Sequence, residues 1–257
     1  GRREQILKTD QDNALLLAPG VDPDAYAGAM ARFAQRLAEI GYPPCAGGVM
    51  ASNPPWRQTL DGWHRRIADW RRRGDAVSMM ELSMVVDARP VAGERRLVQP
   101  LHDDLMALGR DDILMRQMVM AAFQFDTPLT LFGRVRDGGE GTDIKKGGIF
   151  PLVHGLRTLA LRHGVARSNS FARCEGLVAA GALSSELGRD VPQALAVFQR
   201  LRLGQQLDAL GAGRAPDNRL DIGALRHLDR ELLRDALRVV NRFKDHLREA
   251  FQLRGVA

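Results

Sequence analysis

The first part of the chain alternates between short apolar runs and longer stretches in which apolar residues recur with helical spacing. A polar segment leads into three consecutive leucines, and this run predicts a short strand near residues 13–18. From about 24 to 40, apolar residues lie three or four positions apart, as on one face of a helix. Asp22 or Asp24 is suited to cap this helix, and Pro23 is suited to its first turn.

A second short apolar run precedes another aspartate. A loop rich in proline and glycine covers residues 41–55, and farther along the run Met84–Val86 predicts a strand that ends at Asp87. A carboxylate at the end of such a strand could complete a site made of several aspartates. The alternative, which the local sequence favours by itself, is a turn in which Asp87 pairs with Arg89.

Beyond residue 108 the pattern becomes almost wholly helical. Apolar stripes continue for several turns near 152–163 and 225–251. Such faces bury against one another in an antiparallel bundle. The sequence therefore predicts an α+β fold, with a small mixed-sheet domain at 1–108 followed by an all-α helical bundle domain at 109–257.

Two aspartates at alternating positions, Asp10 and Asp12, lie just before the first predicted strand. Side chains at positions i and i+2 of extended backbone point to the same face, so we expect the two carboxylates to project together. Paired carboxylates are costly unless a cation neutralises them, and hard oxygen ligands favour Mg²⁺ or Mn²⁺, which take substrate phosphates as further ligands. The pattern points to phosphoryl or nucleotidyl transfer. The alternative is a pair of aspartates in an ordinary turn.

Cationic residues lie close to these aspartates in the sequence. Gly1, Arg2, Arg3 and Lys8 all precede Asp12. A glycine beside cationic side chains can cradle a polyphosphate opposite the metal carboxylates. The segment could therefore hold the phosphates of a nucleotide.

A second cationic segment precedes a predicted helix. Lys145 and Lys146 stand before two glycines, and the helix is expected to begin near Phe150. Two lysines and a helix N-terminus provide positive potential for phosphate. The alternative is a solvated lysine pair at a domain junction.

Composition narrows the choice of partner. The chain has 257 residues and a formal net charge of +6, which favours polyanions. Trp56, Trp63 and Trp70 stand among arginines but recur every seven residues, so a core helix is favoured over a nucleic-acid platform.

Two distant cysteines, and six histidines without ligand spacing, argue against a disulfide framework or a zinc site. No apolar stretch approaches a membrane span and no signal peptide is visible, so a cytoplasmic location is expected.

The segment from Gly1 to Leu15, GRREQILKTDQDNAL, resembles the core motif of the protein-PII uridylyltransferase-like branch of the polymerase-β nucleotidyltransferase superfamily. It is more closely similar to nucleotidyltransferases of unknown function that bacteria carry behind cyclic-nucleotide-binding and CBS domains. In that family a Gly-Ser pair opens the motif and Gly1 matches its second glycine, so we expect the domain at 1–108 to be incomplete at its N-terminus. Further segments resemble family motifs in the same order, namely 45–54 with Trp56, 81–93, 143–148 and 216–218.

The resemblance implies a site and a reaction. Asp10, Asp12 and Asp87 would be catalytic and would bind one or two Mg²⁺ or Mn²⁺ ions. The residues that would bind the nucleoside triphosphate, ATP or UTP, are Gly1, Arg2, Arg3, Lys8, Lys145 and Lys146. An NMP group would pass to a hydroxyl of a protein or small-molecule acceptor, with release of pyrophosphate.

The resemblance also implies a role in signal transduction, with regulatory CBS or cyclic-nucleotide-binding domains upstream. The base and the acceptor stay open. Two other functions compete with transfer. A catalytically inactive nucleotide-sensing module would bind nucleotide with Mg²⁺ and form no product. An RNA-binding or RNA-modifying protein, the less favoured of the two, would bind RNA with strong dependence on salt.

Overall fold

The computed structural model describes residues 1–7, 9–130, 132–136, 139 and 141–253, and most of this chain is helical. The α-helices are α1 (Ala27–Glu39), α2 (Leu60–Arg73), α3 (Ala76–Val86), α4 (Arg95–Ala107), α5 (Asp112–Met120), α6 (Phe150–Arg162), α7 (Ser170–Ala179), α8 (Ser185–Gly211) and α9 (His227–Ala250). The strands are β1 (Leu15–Leu17), β2 (Arg57–Thr59), β3 (Thr142–Asp143) and β4 (Arg219–Leu220). The predicted α+β fold with a helical bundle is confirmed.

A two-stranded parallel sheet organises the first part of the chain. β1 pairs with β2 in the register Leu15 with Arg57, and α1 lies between them in the sequence. Short parallel strands need a long connection of this kind, because each must begin at the same end of the sheet. Asp22 caps the short turn before α1 by accepting from the backbone N–H of Asp24, as the sequence predicted.

The three tryptophans lie in the core. Trp56, Trp63 and Trp70 are 4%, 2% and 1% exposed, and the guanidinium of Arg66 lies 4.9 Å from the rings of both Trp56 and Trp70. Indole N–H groups are satisfied inside the protein, since Trp70 donates to Glu81 at 2.7 Å. The predicted core helix is confirmed for Trp63 and Trp70 in α2, whereas Trp56 lies in a 3₁₀ turn before β2. All three rings are buried, which leaves little surface on which a base could stack.

The predicted strand before Asp87 is wrong, because Met84–Val86 forms the last turn of α3. Asp75 starts this helix by accepting from the N–H of Ser78 at 2.8 Å. The eleven residues that follow contain no glycine or proline and are apolar on most sides. A short apolar run cannot distinguish a buried helix from a strand by periodicity. Asp87 is therefore the C-terminal cap of α3 rather than the end of a strand.

Helix α6 forms the centre of the helical bundle. Every residue from Pro151 to Leu161 is buried, as expected for a helix packed on all sides. α6 packs against α5, α7 and α9. Helices α8 and α9 run antiparallel, since the start of α8 pairs with Arg242 late in α9, and Arg200 late in α8 pairs with Asp229.

The hydrophobic core is continuous from the tryptophan helix to the bundle. The boundary at residue 108 stays a prediction, because buried side chains on both sides of it belong to one cluster. None of the helices in the described part of the chain has the length and apolar character needed to cross a bilayer.

Two backbones approach closely where the two regions meet. Gly109 lies in a short 3₁₀ turn, and a Cβ atom there would overlap the carbonyl oxygen of Leu161 in α6. Gly109→Ala should therefore lower the free energy of unfolding by about 1–3 kcal/mol, as overpacking does elsewhere. Urea unfolding of the two proteins measures the difference.

Gly204→Ala is the matched control for this substitution. Gly204 lies in α8, and a Cβ atom there has no neighbour within 4 Å. Because alanine favours helix more than glycine does, the free energy of unfolding of this variant should increase by up to about 1 kcal/mol. If Gly109→Ala were as stable as the native protein, the close approach would not constrain the fold.

Candidate functional site

The aspartate pair lies on extended backbone whose other residues point inward. Gln11 is 4% exposed, and its side-chain amide donates to two backbone carbonyls of α1 and the loop after it. The side-chain oxygen of Asn13 accepts from the N–H of Ala51 at 2.9 Å. These two residues anchor the segment, and Asp10 and Asp12 are exposed. The alternation therefore places the anchoring side chains on one face of the segment and the candidate metal ligands on the other.

The loop after α1 brings a cysteine to the same place. Gln11 forms a parallel bridge with Pro44, so the next residue, Cys45, lies beside Asp12. One ligand atom from each of Asp10, Asp12 and Cys45 lies within 4.8 Å of the others. The structure thus brings together the two aspartates predicted from sequence and adds a thiol.

The electrostatics of Asp12 reflect this crowding. Desolvation raises the pKa of the Asp12 carboxyl and Asp10 raises it further, whereas a hydrogen bond from Cys45 and the ammonium of Lys145 oppose the increase. Desolvation and Asp12 also raise the pKa of the Cys45 thiol. The thiol is therefore protonated at neutral pH and donates to the Asp12 carboxylate.

The donor set fits a hard divalent cation at the carboxylates. Among the residues that the structure describes, none forms an ion pair with Asp10 or Asp12, so both have oxygens free to bind. Mg²⁺ and Mn²⁺ prefer carboxylate oxygen, while a protonated thiol is a poor ligand for them. Cys45 is accordingly suited to orienting Asp12 rather than to holding Mg²⁺ itself.

Asp87 is not part of this group. It is 4% exposed, and its two oxygens accept hydrogen bonds from Arg157 (2.5 and 2.9 Å) and Arg173 (2.6 Å). Although desolvation acts in the opposite direction, Arg157 and Arg173 together lower the pKa of Asp87 to about 2. The carboxylate is therefore ionised and occupied by guanidinium groups.

The ion pairs of Asp87 extend to the N-terminal segment. Arg2 lies 3.7 Å from Asp87 and donates to Glu4 at 2.9 Å. Glu4 in turn accepts from the backbone N–H of Ser170 at the start of α7. These contacts fasten the segment that precedes the aspartate pair to the helical bundle.

His154 completes this buried cluster in its neutral form. Desolvation and the neighbouring Arg157 lower the pKa of His154 to about 2. Arg157 lies 3.2 Å from Nδ1 of His154, and a guanidinium can only donate, so Nδ1 accepts. The ring also stacks on Phe150 with centroids 3.9 Å apart.

The other N-terminal residues predicted to bind nucleotide differ in their exposure and contacts. Gly1 is exposed, with space around its Cα. Arg3 is exposed and has a left-handed backbone with φ of 62°. Arg2 faces Asp87 and Glu4, as described above. Lys8 lies outside the described residues.

The second lysine segment adopts an uncommon turn. Residues Lys145–Ile149 form a π-helix just before α6, a conformation often found at functional sites. Lys145 lies close enough to Asp12 to affect its pKa, whereas Lys146 lies 5.5 Å over the ring of Phe125. The two glycines that follow are buried, and a Cβ atom at Gly147 or Gly148 would crowd Pro128 or Phe198, respectively. In this structure the glycines therefore allow close packing.

Sequence reasoning did not single out several residues of these clusters. Gln11 and Asn13 alternate with the aspartates, and that polar alternation is the signal that could have assigned them. Arg157 interrupts the apolar run of α6, and a charge inside such a run indicates a buried ion pair. Cys45 and Arg173 have no comparable local signal, because their partners lie far away in the sequence.

Comparison with protein families places this geometry in context. Residues 112–251 match a family model described as "Putative nucleotidyltransferase substrate binding domain", which covers more than half of the chain. The chain belongs to this family. Residues 1–76 of this nucleotidyltransferase family member match a second model, described as "Putative nucleotidyltransferase DUF294". No curated protein and no solved structure matches the chain.

The family supports nucleotidyl transfer as the chemistry and a nucleoside triphosphate as ligand. In this family member, Asp10, Asp12 and Cys45 fall in the segment of the second model, and Lys145 falls in the substrate-binding segment. Asp87 lies between the two matched segments. Lys145, in the substrate-binding segment, lies close enough to Asp12, in the other segment, to lower the pKa of the Asp12 carboxyl.

Proposed function

We propose that the chain is a metal-dependent nucleotidyltransferase in which Asp10 and Asp12 hold Mg²⁺ or Mn²⁺. The observation that carries this proposal is the exposed pair of carboxylates, unpaired among the described residues, within 4.8 Å of each other and of Cys45. Two adjacent carboxylates repel each other unless a cation lies between them. A divalent ion bound there would neutralise the charge of a triphosphate.

The chain's own residues supply position and charge. Gln11 and Asn13 fix the backbone of the pair, and the Cys45 thiol orients Asp12 by donating to it. Lys145 adds a positive charge on the side of the substrate-binding segment. The acceptor hydroxyl would form a bond to the α-phosphorus as the bond to pyrophosphate breaks, and the hydroxyl proton would leave to solvent.

Asp87 has a positioning role in this proposal. Its oxygens are occupied by Arg157 and Arg173, which leaves Asp10 and Asp12 as the carboxylates suited to a metal. Through Arg2 it holds the N-terminal segment beside the bundle. This arrangement differs from the expectation that Asp87 binds a second ion or acts as a base.

We further propose that the acceptor is a protein or a small molecule and that the reaction serves signal transduction. The support is the resemblance of the Gly1–Leu15 motif to protein-PII uridylyltransferases and to family members that follow CBS or cyclic-nucleotide-binding domains. ATP and UTP are the donors that this resemblance suggests.

A nucleotide-sensing module without turnover is the second candidate. The observation that favours it is the sequestration of Asp87, because a site with two available carboxylates has fewer groups for chemistry than one with three. Such a module would bind nucleotide in the presence of Mg²⁺ and release it unchanged.

Calorimetric titration with ATP, UTP, GTP and CTP tests both candidates. We expect one of them to bind in the presence of Mg²⁺ and to bind much more weakly when EDTA replaces the metal. Incubation with that nucleotide carrying a labelled α-phosphate then separates the two, since transfer releases pyrophosphate and sensing does not. If none of the four binds, both candidates fail.

A further inference from the structure

A cavity lies away from the aspartate pair, between α4, the end of α6 and the two connections α3–α4 and α6–α7. Its volume is about 360 Å³, which is in the range of small-molecule sites. Its floor is apolar and includes Val85, Val98, Leu101, Leu105, Leu161 and Val165. Apolar side chains of this kind favour the hydrocarbon part of a ligand.

Four of the seven polar residues that line the cavity are arginines, namely Arg89, Arg95, Arg167 and Arg173. The others are Gln99, His102 and Ser168, and no aspartate or glutamate of the described chain lines it. In the part of the chain described, Arg89, Arg95 and Arg167 make no ion pair or side-chain hydrogen bond. All three arginines are exposed at the cavity, and no carboxylate among the described residues neutralises their charges.

A second cavity provides a contrast. The larger space beside the loop between α8 and α9 is lined by four arginines and also by four aspartates. Cationic groups there are balanced within the protein. The excess of positive charge in the first cavity is thus not a general consequence of the arginine-rich composition.

The wall of the first cavity also contains a buried guanidinium with unused donors. Arg173 is 2% exposed and donates from Nη2 to Asp87, but Nε and Nη1 have no partner among the described residues. A buried N–H group without an acceptor costs free energy, and such groups are rare in folded proteins. Both nitrogens are closed off from the cavity by neighbouring side chains, so a ligand could reach them only if those side chains moved.

We propose that this cavity binds a small organic anion with an apolar body. The anionic group pairs with Arg95 and Arg167, and the hydrocarbon part lies on the floor formed by α4 and α6. Carboxylates and phosphate esters share this chemistry. The site does not depend on the nucleotidyl transfer proposed above.

Calorimetric titration of the whole chain with four probes tests the proposal. Octanoate and octyl phosphate combine charge with a chain, octanol has the chain alone, and inorganic phosphate has the charge alone. We expect both amphipathic anions to bind at least about tenfold more tightly than octanol, since hydrogen bonds to charged groups are strong. Inorganic phosphate should bind more weakly than octyl phosphate.

Variants locate the binding. Arg95→Gln combined with Arg167→Gln should weaken octanoate binding about tenfold or more, and Val98→Phe should weaken it by filling the cavity without changing its charge. Arg65→Gln is the control, because Arg65 is exposed on α2 outside the cavity. Thermal melting monitored by circular dichroism verifies that each variant is folded.

Several results would overturn the proposal. The proposal fails if octanoate does not bind at millimolar concentration, or if octanol binds equally well, because the arginines then select nothing. If octanoate binding is unchanged both in the variant with Arg95→Gln and Arg167→Gln and in Val98→Phe, octanoate binds elsewhere on the protein. Equal loss in Arg65→Gln would show a general charge effect.

Discussion

Asp87→Asn should lower the free energy of unfolding by about 3–5 kcal/mol, the cost typical of removing one partner from a buried ion pair. Asparagine has the same size as aspartate, so the change leaves no cavity. It removes the charge that Arg157 and Arg173 share, and its amide N–H₂ points donors at a site where both neighbours already donate. Urea unfolding at neutral pH measures the difference.

Two further variants test whether the loss of stability in Asp87→Asn comes from burial of the charge. Asp235→Asn removes an exposed aspartate paired with Arg238, so it should change stability by no more than about 1 kcal/mol. Adding Arg173→Leu to Asp87→Asn should recover part of the loss, because one uncompensated charge disappears. If Asp87→Asn costs no more than Asp235→Asn, the buried cluster does not stabilise the fold.

The same carboxylate predicts a dependence on pH. The pKa of Asp87 is lowered to about 2 in the folded protein, from an ordinary value of 3.8. The stabilisation is therefore complete above the ordinary pKa and decreases as the pH falls from about 4 towards 2, since the unfolded chain then binds the proton first. The stability difference between the native protein and Asp87→Asn should decrease over that interval. A constant difference would contradict this account.

Local sequence signals predicted the elements near the aspartate pair. The leucine run gave β1, and the helix expected at 24–40 is a capped 3₁₀ turn followed by α1. Alternation predicted that Asp10 and Asp12 lie together, and their ligand atoms do so. These features depend on periodicity and capping, which act over a few residues. Their role as metal ligands stays a prediction.

Features that depend on distant residues could not be predicted in the same way. Met84–Val86 is helical because Asp75 caps α3 and the surrounding helices bury its apolar sides. Asp87 binds arginines that are 70 and 86 positions away, so its local neighbour Arg89 was the only partner the sequence suggested. Cys45 meets Asp12 only because a parallel bridge places their backbones side by side. Tertiary packing decided each of these cases.

Asp12→Asn should abolish most of the proposed transfer reaction, with a decrease in turnover of roughly 10³-fold, because metal ions stabilise the transition state by several kcal/mol. Asparagine keeps the size of the side chain and an oxygen that can accept from the Cys45 thiol. It loses the negative charge that Asp10 and Asp12 together offer to the cation. Release of pyrophosphate from the nucleotide that binds most tightly measures turnover, and titration with Mn²⁺ measures metal affinity.

Asp22→Asn is the matched control for this substitution. Asp22 is an exposed aspartate that caps the turn before α1, and asparagine caps equally well, so turnover and Mn²⁺ affinity should stay within about twofold. Metal affinity and turnover should fall together in Asp12→Asn if the ion acts at this site. A variant that loses Mn²⁺ affinity but keeps turnover would place the reacting phosphate elsewhere. If the native protein binds nucleotide with Mg²⁺ but releases no pyrophosphate, and Asp12→Asn loses that binding, the sensing module is favoured, because binding of the ground state does not require catalysis.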